Sequence, residues 1–151
     1  MENTTQTLAD FCVQTNYDKI PTEVVERTKL LILDTIGIII RARHDSESTP
    51  SMLAAVGKLG LDHGDCHVFA DSATYAPATA ALINATLAHS LDFDDTHAEA
   101  SIHASAPIVP AAIAAAEMVG ASGRDLITAC VVGYEIHVRL GKAVGAADHY
   151  I

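Results

Sequence analysis

The apolar positions of this chain recur mostly at spacings of three and four, which predicts helices along nearly its whole length. A first helix is expected over Thr5–Thr15, with Leu8, Phe11 and Cys12 on one face. Pro21 stands where a second helix can begin, with Glu23 and Glu26 in its opening turns and Arg41 and Arg43 at its C-terminal end. From Leu30 to Ile40 that segment is apolar on almost every side, so a central, buried position is expected for it. His44–Pro50 reads as a polar connection, and Ser51–Leu59 as a short helix closed by Gly60. Asp62-His-Gly-Asp65 marks a turn, and Cys66–Ala70 is at most a short extended segment.

Pro77 opens the next helix, which carries Leu82, Ala85 and His89 on one face. Continued by one turn, the same periodicity places Asp92 beside His89. A further helix is expected from Pro107 or Pro110 to Val119, stopped by Gly120. Ser122-Gly-Arg-Asp125 offers an N-cap with an acid three residues on. It leads into a last helix that ends near Lys142, with Leu126, Ile127, Cys130, Val131, Tyr134 and His137 along one side. Glu135 and Arg139 stand four apart on its outer face. The fold class expected is all-α, a helical bundle formed by residues 1–151 as one domain.

Composition agrees with this frame. Half of the 151 residues are apolar and only 19% are charged, which argues against disorder. With three Phe, four Tyr and no Trp, the core must be built from aliphatic side chains, and abundant alanine favours closely packed helices. A net charge of −10 excludes nucleic acid and anionic membrane surfaces as expected partners. The most apolar window, Leu30–Ile40, is about half of the roughly 20 residues that a bilayer span needs, and Asp34 interrupts it. Cys12, Cys66 and Cys130 are scattered and odd in number, so structural thiols in a reducing cytoplasm are expected.

One stretch departs from the apolar frame. Residues 89–103 hold three histidines, three aspartates and one glutamate, without a lysine or arginine. A solvated loop between helices is one reading. Against it, His103 sits among Ala, Ser and Ile, and buried polar groups need partners. A divalent metal is a second reading, but Asp94-Asp95 lacks the third acid of a magnesium-type Asp-Asp-x-x-Asp motif, because Ala98 stands there. His89, His97 and His103 are also spaced by eight and six, unlike the four-residue spacing of a helical zinc pair. Proton transfer is a third reading, with a carboxylate fixing the tautomer of a histidine whose pKa lies nearest neutrality. Spacing alone leaves these alternatives open.

The run Ala81-Leu-Ile-Asn-Ala-Thr-Leu-Ala-His-Ser-Leu-Asp-Phe-Asp-Asp95, followed by Thr96, closely resembles the signature of the MmgE/PrpD family. The resemblance extends to Lys29–Gly37, Pro107–Glu117 and Gly133–Gly141, and so covers nearly the whole chain. That family includes 2-methylcitrate dehydratase, cis-aconitate decarboxylase and an iminodisuccinate epimerase. The resemblance implies a large all-α domain, a smaller lid, dimerisation through the helices, and lyase or isomerase chemistry on small di- or tricarboxylates without a cofactor or metal. It also implies catalytic roles for Asp92 and His103 and a substrate-binding role for Thr96. Where many relatives read His-Pro-Ser, this chain reads His103-Ala-Ser105, with one residue inserted before it.

Family members are substantially longer chains. The later histidines, lysines and tyrosine of the family site, and the lid, are expected to lie beyond Ile151. The chain is therefore expected to be an N-terminal piece of the large helical domain that forms a homodimer or pairs with a missing C-terminal part. The alternative is a catalytically silent helical dimerisation module.

Overall fold

The computed structural model describes residues 3–144. The described chain is all-α apart from one small β-hairpin. In order it forms α1 (Thr4–Gln14), a 3-10 turn (Tyr17–Lys19), α2 (Thr22–Asp45), α3 (Thr49–Lys58), β1 (Cys66–His67), β2 (Thr74–Tyr75), α4 (Pro77–His89), α5 (Ser105–Val119) and α6 (Gly123–Val144).

The most extensive helix contact is α4 against α5. Alanines make it close: Ala80, Ala88, Ala106 and Ala114 are all buried, and small side chains let two helix axes approach. Ile39 and Ala42 of α2, Val56 of α3, and Ile83 and Leu87 of α4 complete the main core together with Cys66, Val68 and Tyr75. Burying an aliphatic side chain fully is worth about 1.5–3 kcal/mol, so this cluster is the principal source of stability.

The hairpin is fastened to α4 by one buried amide. Asn84 accepts the Phe69 N–H at 3.1 Å and donates to the His67 carbonyl at 3.0 Å. Asp71 closes the same edge by accepting from Arg43 at 3.1 Å and from the Tyr75 hydroxyl at 3.3 Å.

Three sequence expectations are corrected here. The segment Leu30–Ile40 is not enclosed: Thr35, Ile38 and Ile39 face the core, whereas Leu30 and Leu33 are 58% and 68% exposed. Only one side of α2 has helices to pack against among the described residues, so apolarity on the other side meets solvent. Helix α2 continues to Asp45, and α3 opens at Thr49 rather than Ser51, because the Thr49 hydroxyl donates to the Ala42 carbonyl and ties the two helices at a tight bend. Helix α5 starts at Ser105, two residues before Pro107, and Pro110 lies within it. Its first turn is anchored from outside, by Asp95 accepting the Ser105 N–H at 2.9 Å.

The start of α6 follows the expected reciprocal capping. Asp125 accepts from both the backbone N–H and the hydroxyl of Ser122, at 3.0 and 2.7 Å, and its own N–H donates back to the Ser122 oxygen. Arg139 donates to Glu135 at 2.6 Å across one turn of the same helix.

Candidate active site

The polar stretch is the connection between α4 and α5, and it is folded rather than loose. The His97 N–H donates to the Ile102 carbonyl at 2.9 Å, and the Ala100 N–H donates to His97 Nδ1 at 3.2 Å. Asp95 forms the inner staple. Besides the Ser105 N–H it accepts the Tyr134 hydroxyl at 2.9 Å, and Tyr134 in turn touches the Ser105 hydroxyl. Burial pushes the Tyr134 phenol well above its ordinary range, and the Asp95 charge adds to that. Tyr134 therefore remains a donor at every physiological pH.

Glycine completes the seating. A Cβ on Gly141 of α6 would stand 2.8 Å from the Ala100 carbonyl oxygen and 2.9 Å from its side chain. Only a residue without a side chain lets the connection lie this close to α6.

The result of this folding is a cluster centred on Asp94. Its carboxylate is almost fully buried, with 1% of the side chain exposed. His89 Nδ1 lies 3.0 and 3.1 Å from its two oxygens. His103 Nδ1 approaches one of the same oxygens at 3.3 Å, at ion-pair distance but outside hydrogen-bond alignment, and has no other partner. The two imidazoles meet edge to face, with ring centroids 4.7 Å apart. A buried carboxylate is costly unless paired, and the partners present are His89 at hydrogen-bond distance and His103 at ion-pair distance. With Nδ1 turned to Asp94, each histidine has Nε2 free for other use.

Asp92 lies on the other side of His103, with an oxygen 3.9 Å from Nε2. Its side chain is 82% exposed. Helical periodicity placed Asp92 on the apolar face beside His89, and that expectation is corrected. The helix ends at His89, and Asp92 takes a positive φ of 55°, which reverses the chain. The acid that reaches His89 is thus Asp94. Thr96 is exposed and is not among the residues lining the adjoining cleft.

Two of the three histidines nevertheless converge, because the connection folds back on itself, whereas His97 stays outside the cluster. His89, Asp92, Asp94 and His103 each bring one potential ligand atom within 4.8 Å of the others. Two imidazoles and two carboxylates form a donor set that a borderline divalent ion such as zinc accepts.

Beside the cluster opens a cleft of about 670 Å³, lined by His89 and His103, by Ser90, Ser101 and Thr86, and by His137 of α6. Ala85, Ile102, Ala106 and Pro107 supply its apolar wall. The periodicity of the last helix places His137 among apolar neighbours, with no sign that it would share a cleft with residues some 30–52 positions earlier.

The family model for the MmgE/PrpD N-terminal domain matches residues 6–151. The chain belongs to the MmgE/PrpD family. Cis-aconitate decarboxylase of Aspergillus terreus is 32% identical over 136 residues, covering 87% of this chain and 27% of that protein. Cis-aconitate decarboxylase-like protein oryM of Aspergillus oryzae is 31% identical over 157 residues, covering 97% of this chain and 31% of that protein. Human cis-aconitate decarboxylase is 32% identical over 122 residues, covering 78% of this chain and 25% of that protein. The chain thus spans less than a third of the curated relatives it matches. No solved structure matches it. No described helix is long and apolar enough to cross a membrane.

Proposed function

We propose that this chain supplies the proton-transfer wall of an MmgE/PrpD lyase or isomerase site for small di- or tricarboxylates, of the cis-aconitate decarboxylation or 2-methylcitrate dehydration type. The observation that carries the reading is the position of His103: Nδ1 against a buried carboxylate, Nε2 turned away from it. In this reading Asp94 fixes the ring and stabilises its charged form, while Nε2 exchanges a proton with the carbon beside a substrate carboxylate. In the decarboxylation direction, carbon dioxide departs without the electrons of the broken carbon–carbon bond. These remain on the substrate carbon, and the proton on Nε2 quenches it. In the dehydration direction, Nε2 takes the carbon-bound proton and hydroxide leaves from the neighbouring carbon. Asp92, on the exposed side of Nε2, borders the reacting position, and Thr96 is assigned to substrate binding by family resemblance.

Support at family level comes from the match over residues 6–151 and from relatives named cis-aconitate decarboxylase. A second reading, a silent helical module that dimerises or pairs with a C-terminal part, is favoured by the exposed leucines of α2.

Incubating the chain with tricarballylate (propane-1,2,3-tricarboxylate) in deuterated water separates the two. The proton-transfer reading predicts deuterium at carbons beside the carboxylates, lost in His103→Ala. Equal deuterium with and without the imidazole would end that reading, and no deuterium at all would leave the silent module.

A further inference from the structure

The cleft beside Asp94 has an unusual wall for so acidic a chain. The protein carries 19 Asp and Glu, yet its lining holds no carboxylate and no lysine or arginine. Its polar surface is three imidazoles and three hydroxyls.

These groups are not equally available. His89 is committed to Asp94, and His103 is turned to it through Nδ1. The hydroxyls of Thr86 and Ser90 donate to helix carbonyls, of Leu82 and Thr86 respectively. The His137 ring and the Ser101 hydroxyl take part in none of the described hydrogen bonds. Ser101 is also held at a positive φ of 51°, in the left-handed region that is uncommon for a non-glycine residue. Its backbone N–H donates to the Ala98 carbonyl at 3.3 Å, which holds the residue within the turn.

We infer that His137 and Ser101 form the site for a second substrate carboxylate, one not beside the carbon that exchanges its proton. The inference deepens the carboxylic acid reading and rests on it. A substrate anchored this way carries two carboxylates on a short apolar carbon frame, with the frame against Ala85, Ile102, Ala106 and Pro107. No acidic side chain lines the cleft itself, and the nearest ones, Asp92 and Asp94, stand at its His103 end. His137 acts here as a binding residue, and the proton exchanged at carbon stays with His103.

Tricarballylate titrated into the chain, followed by the ring-proton resonances of the histidines, tests the inference. Saturable shifts are expected at His89, His103 and His137. A hydrogen bond to a charged group is worth at least about tenfold in affinity, so His137→Gln and Ser101→Ala should each weaken tricarballylate binding by about that factor. The shifts that acetate, with its single carboxylate, causes at His89 and His103 should be kept in both variants. Ser101→Ala keeps the hydroxyl test intact even where His137→Gln perturbs α6.

Unchanged tricarballylate affinity in both variants would overturn the assignment, as would saturation that moves only His89 and His103. Absence of any saturable binding would overturn it too. The deuterium experiment reads His103 separately, so failure of the carboxylate site and failure of the proton-transfer reading are distinguishable.

Discussion

Replacing Tyr134 by Phe removes one oxygen and leaves the ring, which makes it a clean probe of the staple that seats the polar connection. The hydroxyl donates to Asp95 at 2.9 Å and also touches Ser105. A hydrogen bond to a charged acceptor contributes about 1.5–3 kcal/mol, and an unsatisfied buried acceptor costs more than one left open to water. Asp95 retains the Ser105 N–H in the variant, so the lower part of that range, about 1.5 kcal/mol, is expected. For a domain of this size each kcal/mol moves the melting temperature by roughly 2–4 °C, which gives a fall of about 3–6 °C. Urea unfolding followed by circular dichroism should show a lower midpoint with an unchanged slope.

The same group predicts a pH dependence. Burial, reinforced by the Asp95 charge, keeps the folded phenol protonated beyond the ordinary tyrosine value of about 10. Above that value the unfolded chain releases a proton that the folded chain retains, so stability should fall as pH rises past about 10. Tyr134→Phe should flatten that alkaline limb. A Phe variant as stable as the wild type, with an unaltered alkaline limb, would refute the staple.

Other outcomes follow from the same structure. Gly141→Ala would gain about 1 kcal/mol of helix propensity, but its Cβ meets backbone at 2.8 Å. Net destabilisation is therefore expected by thermal melting, and a stabilised variant would show that the connection does not lie against α6. Cys12 is exposed, whereas Cys66 and Cys130 are buried, and burial pushes the Cys130 thiol up to about 11. One thiol should react promptly with a disulfide reagent at pH 8, and three after denaturation.

At Asp71, burial alone would raise the carboxyl, but the Ala73 N–H, the Arg43 guanidinium and the Tyr75 hydroxyl together bring it below its ordinary value. Its contribution is present above about pH 4 and is lost as pH falls further. Arg43→Ala should therefore lower stability more at pH 6 than at pH 2. Dialysis against a chelator should leave deuterium exchange unchanged, and its loss would assign the Asp94 cluster to a metal.

The helical frame was largely legible because periodicity and capping are local. The capping pair Ser122–Asp125, the start at Pro77 and the stop at Gly120 all follow from neighbouring residues. The unshielded side of α2 was not legible, because an apolar face says nothing about whether a partner is within the same 151 residues. In the site, His103 and Asp92 were singled out by family resemblance, and they lie 3.9 Å apart. Asp94 was missed as the hub because helical spacing was continued past the end of α4. The available signal was chemical: aspartate is among the residues that tolerate the left-handed turn found at position 92. His137 was hidden by its apolar neighbours, and only the packing of α6 brings it to the cleft.

In the proposed site, the buried Asp94 carboxylate decides which nitrogen of His103 faces the substrate. Long-range proton–nitrogen correlation spectra of the isotope-labelled chain read this directly. Neutral His103 is expected to carry its proton on Nδ1 and to leave Nε2 bare, with that preference lost in Asp94→Asn. A neutral ring that carries its proton on Nε2, unaffected by Asp94→Asn, would contradict it.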